Sequence, residues 1–183
     1  LKSFVPKRVA ERTDKHPALN TVPVNPMIIL TKEQRKAVNE MTNNQDLKTS
    51  KFYLFGPAGS GKTEVYIHSI LKLKSRNSEL QSLILLPELT LTPQAIERYS
   101  EYFHSNEIVV LNSKLSKGKF YSNWNKIKSG EAKVIISSRM GVFAPFKNLG
   151  LIVIDEEQDM SFKQRDMNPR YHARTVSDKL AEI

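Results

Sequence analysis

Gly56-Pro-Ala-Gly-Ser-Gly-Lys-Thr63 has the residue types and spacing of a phosphate-cradling loop, G-x-x-x-x-G-K-[ST]. Gly56, Gly59 and Gly61 allow tight or left-handed backbone, so that consecutive N–H groups can turn inward toward phosphate oxygens. Pro57, Ala58 and Ser60 complete the cradle, and a helix opening at Gly61 adds its positive dipole end. Lys62 is then placed to reach the β- and γ-phosphates, and the Thr63 hydroxyl to hold Mg²⁺. About ninety residues on, an apolar run leads into Asp155-Glu156-Glu157-Gln158. Asp155 at that point suits Mg²⁺, directly or through water, and Glu156 suits orienting and deprotonating an attacking water. Together the two stretches indicate hydrolysis of ATP or GTP. Asn125-Lys126-Ile127-Lys128 does not satisfy the guanine-specific Asn-Lys-x-Asp, so Mg²⁺-ATP is the expected ligand.

The surrounding sequence says how these groups are held. Residues 51–55, Lys-Phe-Tyr-Leu-Phe, read as a strand running into the loop. Without that strand and the full pattern, the loop would be only a glycine-rich turn before a lysine. Continuous apolar runs at 82–87, 108–111, 133–136 and 151–154 read as strands buried on both faces of a sheet. Helical segments separate them, so the expected class is α/β, a P-loop domain with a mostly parallel sheet covered by helices on both faces. Thr92-Pro93 marks a helix start, with Thr92 as cap and Pro93 at the first helical position. Thr31 and Gln34 have capping-box spacing at the head of an amphipathic helix carrying Ala37, Val38 and Met41. The glutamine amide also matches the donor and acceptor of adenine, and spacing alone favours the cap.

The chain of 183 residues holds one sizeable domain. Residues 1–26, rich in Lys, Arg and Pro and lacking periodicity, read as a linker or the tail of a preceding domain, and 27–183 as the domain itself. Leu at position 1 suggests a fragment. No apolar run reaches the length of a membrane span, no signal-peptide pattern opens the chain and there is no cysteine, which together point to the cytoplasm. The net charge of +9 favours a polyanionic partner such as nucleic acid.

Several further motifs make the chain resemble superfamily 2 DNA helicases, most closely the PriA family of primosomal replication-restart helicases. The likeness covers roughly residues 30–178. It rests on Leu30-Thr-Lys-Glu-Gln34, Gly59-Ser-Gly-Lys-Thr-Glu-Val-Tyr66, Leu86-Pro-Glu-Leu-Thr-Leu-Thr-Pro-Gln94 and Ser113-Lys-Leu-Ser116. It continues through Val142-Phe-Ala-Pro-Phe146, Asn148-Leu-Gly-Leu151, Asp155-Glu-Glu157, Ser161-Phe-Lys-Gln164 and Pro169-Arg-Tyr-His-Ala-Arg174. The resemblance implies the first of two RecA-like lobes of an ATP-driven, 3′-to-5′ translocase acting at forked or single-stranded DNA. It implies a second lobe that supplies an arginine to the transition state, zinc-binding cysteines beyond residue 183, and other primosome proteins as partners. It also makes Gln34 an adenine contact. Three positions depart from the family: Gln158 stands where histidine is usual, Ser137-Ser-Arg-Met-Gly141 keeps only the arginine of its motif, and Gly118-Lys119 replaces Glu-Arg. Gln158 retains the capacity to hydrogen-bond a γ-phosphate or a residue of the opposite lobe.

Two stretches combine cations with flat side chains, as single-strand binding requires. In residues 114–133, Lys114, Lys117, Lys119, Lys126 and Lys128 interleave with Phe120, Tyr121 and Trp124, but Phe120, Trp124 and Ile127 have helical spacing and read as core. In residues 162–174, directly after the carboxylates, Lys163, Arg170, Tyr171 and Arg174 are the expected DNA contacts, with Arg139 just past a strand end as a phosphate contact. In the resembled family this second stretch couples DNA contact to hydrolysis. Two other readings stand beside the helicase: a P-loop phosphotransferase, which needs an acceptor-binding lid, and a DNA-binding module with an inactive ATPase site. The helicase-like motifs oppose the first, and intact Lys62, Thr63, Asp155 and Glu156 oppose the second.

Overall fold

Four of the apolar runs form strands in the computed structural model, which describes residues 29–43 and 51–182; the stretch 1–26 lies outside these. They are β1 (Gln81–Leu85), β2 (Ile108–Leu111), β3 (Val134–Ser137) and β4 (Leu149–Ile154), hydrogen-bonded in the order β2-β3-β1-β4 with every pairing parallel. Runs apolar at successive positions suit this sheet because both faces are covered. Leu83 and Leu85 pack on one side against Ile127, Val142, Phe162 and Ala173, whereas Ile84 and Leu86 pack on the other against Tyr66, Ile67, Ile70, Tyr99 and Phe103.

The helices α2 (Lys62–Arg76) and α3 (Pro93–Ser100) supply the second layer, and α4 (Lys117–Ser129) and α5 (Ala173–Ala181) the first, while α1 (Lys32–Asn43) packs on α2. Their ends follow the local chemistry. The Thr92 hydroxyl accepts from the Ala95 N–H with Pro93 behind it, and Ser116 accepts from Lys119. Gly130 closes α4 at φ 80°, a left-handed conformation that costs glycine little. Phe120 and Trp124 stack at 5.6 Å and pack toward the core, and Ile127 is fully buried, so this part of the 114–133 stretch is core.

The expected strand over 51–55 does not form. Among the described residues its backbone pairs with no strand, and Phe52, Tyr53 and Phe55 are exposed, Phe55 completely. Only Leu54 packs against the α2–α3 side. A parallel strand is made by its neighbour's hydrogen bonds, and apolar composition alone supplies none.

Beneath the sheet, Gln81 is fully buried with all of its amide capacity used. Its Nε2 donates to the carbonyls of Ile127 (3.0 Å) and Ala132 (2.8 Å), and its Oε1 accepts from the N–H groups of Lys147 (2.7 Å) and Asn148 (3.2 Å). No helix among the described residues is long and apolar enough to cross a membrane.

Candidate nucleotide site and adjoining basic surface

Parallel register brings the carboxyl ends of the strands to one level. Leu111 lies opposite Ser137, Leu85 opposite both Ser137 and Ile154. The residues that follow, including Leu86, Arg139 and Asp155, therefore emerge along one rim, where ligands bind in open α/β sheets.

The glycine-rich loop meets this rim at the head of α2. Gly59 and Gly61 have φ of 77° and 78°, and the loop closes on itself through the Ser60 N–H, which donates to Pro57 O at 3.2 Å. Among the described residues, the N–H groups of Gly59, Gly61, Lys62 and Thr63 donate to no acceptor, which leaves a set of donors at a positive helix end. The Lys62 ammonium donates to Gly56 O at 2.9 Å and Pro57 O at 3.1 Å, so it already lies over the cradle. A Cβ on Gly56 would sit 2.6 Å from Ser60 Oγ, and one on Gly61 would collide with the Gln34 amide. Gly61→Ala is accordingly expected to lower nucleotide affinity of the full-length protein by about tenfold or more, since the left-handed residue alone costs about 1–2 kcal/mol; equilibrium titration with a fluorescent ATP analogue checks it.

Gln34 serves two structural contacts. Its Oε1 accepts from the Thr31 N–H at 2.9 Å while Thr31 Oγ1 accepts from the Gln34 N–H at 3.2 Å, a reciprocal capping box. Its Nε2 donates to Ser60 O at 3.0 Å, which ties α1 to the loop. A cleft of about 330 Å³ opens beside it, lined by Gln34, Ala37, Leu54, Gly56, Lys62 and Val65.

A second cleft of about 220 Å³ brings Thr63, Arg98, Tyr99, Asp155 and Glu156 together. Asp155 Oδ1 accepts from the Tyr66 hydroxyl at 3.3 Å and from the Glu156 N–H at 3.1 Å. Burial, with the Asp155 carboxylate beside it, pushes the Tyr66 phenol well above its ordinary range, so it stays protonated as a donor. Glu156 takes φ 50°, a left-handed conformation unusual for a residue with a side chain, and its carboxylate faces solvent. Arg98 anchors the cleft wall: its guanidinium pairs with the buried Glu64 and with Glu101, and the Tyr102 hydroxyl donates to Glu64 Oε2 at 2.9 Å. The hard oxygens of Thr63 and Asp155 on one cleft suit Mg²⁺, which takes few protein ligands beside phosphate and water. Gln158 lies exposed on the same turn.

On the far side of the rim, residues 160–173 fold back as a short hairpin, with Lys163 bridged to His172 and the Gln164 N–H donating to Tyr171 O at 2.8 Å. Arg139 Nη1 donates to Ser161 O at 2.9 Å and also meets the Tyr171 side chain, while Arg174 pairs with Glu157. Lys163 and Arg170 are exposed. Of the five expected DNA contacts, Lys163 and Arg170 thus face solvent with open ammonium or guanidinium groups, and Arg139 and Arg174 brace the hairpin against the rim. Sequence reasoning passed over Phe143, half exposed and 4.8 Å from the Tyr171 ring in an edge-to-face pair, and over Arg98, whose partner Glu64 lies 34 residues away. Neither carries a periodic signal. An exposed aromatic inside a short apolar run looks like core until the backbone is placed.

Comparison with known proteins agrees with this geometry. The DEAD/DEAH box helicase family model matches residues 31–180. A replication restart protein PriA from Bacillus subtilis (strain 168) is 44% identical over 154 residues, covering 84% of this chain and 19% of that protein. Those from Synechocystis and Treponema pallidum are 42% and 36% identical over 71% and 96% of the chain, covering 15% and 26% of their own lengths. The chain therefore spans about a fifth of the length of the curated relatives it matches.

Proposed function

Since this chain belongs to the DEAD/DEAH box helicase family, whose domains bind nucleoside triphosphates, we propose that residues 27–183 form the first RecA-like lobe of a PriA-type, ATP-dependent DNA helicase acting in replication restart. In this reading residues 1–26 link it to a preceding domain, the protein is cytoplasmic, and a second lobe completes the active site. The observation that carries the reading is the cleft where Thr63, from the head of α2, meets Asp155 and Glu156 from the end of β4.

Each residue's part follows from its place. The free N–H groups of Gly59, Gly61, Lys62 and Thr63, within the cradle formed by Gly56, Pro57, Ala58 and Ser60, hold the triphosphate, and the Lys62 ammonium exchanges its carbonyl partners for β- and γ-oxygens. Thr63 Oγ1 and the Asp155 carboxylate would hold Mg²⁺, which when bound offsets charge on the transferred phosphoryl group. Glu156, solvent-facing, orients a water and accepts its proton. Gln158 reaches toward the γ-phosphate or the opposite lobe, and the second lobe's arginine stabilises the transition state. Gln34 keeps its cap and loop contacts while its flank forms the wall of the adenine cleft. Lys163, Arg170, Tyr171, Arg139 and Arg174 meet DNA, with Arg139 holding the hairpin at Ser161 O and Arg174 carrying the contact to Glu157 of the 155–158 turn. Helicase family membership argues against a phosphotransferase.

The test is ATP turnover of the full-length protein with and without single-stranded or forked DNA. Turnover indifferent to DNA overturns the reading. DNA affinity should also fall linearly on a log–log plot against salt, and Arg170→Ala should reduce that slope by about 1, as loss of one phosphate contact does. Fluorescence anisotropy across a salt series reads both.

A further inference from the structure

Asp155 is approached from two sides. Its Oδ1 takes the Glu156 N–H from its own turn and the Tyr66 hydroxyl from α2, 89 residues away in sequence. Two donors on one oxygen leave Oδ2 as the carboxylate atom with its lone pairs open. Tyr66 follows Thr63 by three positions, so the two share a face of α2. That face therefore presents both the Thr63 hydroxyl and the Tyr66 phenol to the end of β4. The tyrosine ring is itself fixed, only 6% exposed and packed among Ile67, Ile70, Ile84 and Val153.

We infer that Tyr66 is a positioning residue for the metal site: by holding Asp155 Oδ1, it turns Oδ2 toward the cation shared with Thr63 and joins α2 to β4 before the nucleotide arrives. The inference rests on the proposed Mg²⁺-ATP site and deepens it. Carboxylates that ligate metals are commonly oriented by such outer hydrogen bonds. A packing residue would need only the ring. The phenol oxygen adds a hydrogen bond aimed at Asp155, a carboxylate that lines the same cleft as Thr63.

The full-length protein, as wild type and Tyr66→Phe, is titrated with Mg²⁺ while binding of a fluorescent N-methylanthraniloyl ATP is followed, and again in EDTA. The phenylalanine keeps the ring and removes only the hydroxyl. The Mg²⁺ concentration at half-saturation is expected to rise roughly tenfold or more, the size of outer-shell losses in metal affinity, with nucleotide affinity in EDTA and the melting temperature little changed. In an Asp155→Ala background the same Tyr66→Phe change should have no effect, because the group it orients is gone. Superimposable Mg²⁺ curves overturn the inference, as does an undiminished effect in the Asp155→Ala background or an equal loss of affinity in EDTA. A wild type whose nucleotide binding ignores Mg²⁺ overturns the site reading itself, which separates the two failures.

Discussion

Glu156→Gln in the full-length protein is expected to lower DNA-stimulated ATP turnover by about 10²–10⁴-fold, the usual contribution of a positioned general base, while leaving nucleotide binding intact. The amide is isosteric and keeps the left-handed turn at φ 50°, so the backbone that seats Asp155 is unchanged. It cannot take a proton from water. The Glu156 N–H that donates to Asp155 Oδ1 is also retained, so the metal side of the cleft stays as it is. Steady-state ATPase assays with saturating single-stranded DNA, beside titration of a fluorescent ATP analogue, separate the two effects. Undiminished turnover in this variant would remove Glu156 from the mechanism. Glu157 lacks this role by geometry, since its carboxylate is paired with Arg174.

Gln81→Ala is expected to destabilise the fold by about 3 kcal/mol, at the upper end of the usual range for single substitutions. The glutamine is fully buried, and its loss takes a partner from four backbone groups: the Ile127 carbonyl, which keeps the Gly130 N–H, and the Ala132 carbonyl and the N–H groups of Lys147 and Asn148, which are left unpaired. The orphaned Ala132 carbonyl, in the buried part of this network, costs about 1–3 kcal/mol, and the part-buried N–H groups of Lys147 and Asn148 add a smaller loss because water can reach them. Those four groups belong to the end of α4, the approach to β3 and the approach to β4, so one side chain ties three crossings at the foot of the sheet. By contrast Ile84→Val, also fully buried, removes one methylene and is expected to cost about 0.5–1.5 kcal/mol. Urea denaturation of the two variants, followed by circular dichroism, gives the ranking; equal losses would mean that the Gln81 bonds contribute little net stability.

Much of the site could be read along the chain because it depends on neighbours in sequence. The loop glycines, Lys62 and Thr63 act within one turn, Thr92 and Pro93 cap a helix by local geometry, and Thr31 with Gln34 close a box three residues long. The four buried strands were legible for a similar reason: a run of branched apolar residues has no stable place except between two covered faces. The helical spacing of Phe120, Trp124 and Ile127 likewise assigned them to the core, where they lie. Gln34 shows how a local signal can carry two roles, since the cap leaves one amide N–H to grip the loop at Ser60.

What the sequence determined by itself is the chemistry available at one rim: a phosphate cradle, a Lys, a Thr and two carboxylates, each specified by residue type and short spacing. Tertiary structure decided which of these groups meet and what holds them. Residues 51–55 have the composition of a strand, yet pairing is a property of a neighbour, and among the described residues their backbone pairs with none. Arg139 and Arg174 carry charge that sequence alone assigns to DNA, while the fold directs one to Ser161 O and Tyr171 and the other to Glu157. Tyr66 reaches Asp155, and Arg98 reaches Glu64, only because parallel crossovers stack α2 and α3 against the end of β4. Hydrogen bonds and ion pairs of that kind join groups far apart in sequence, so their partners are set by the path of the backbone and leave no periodicity to read.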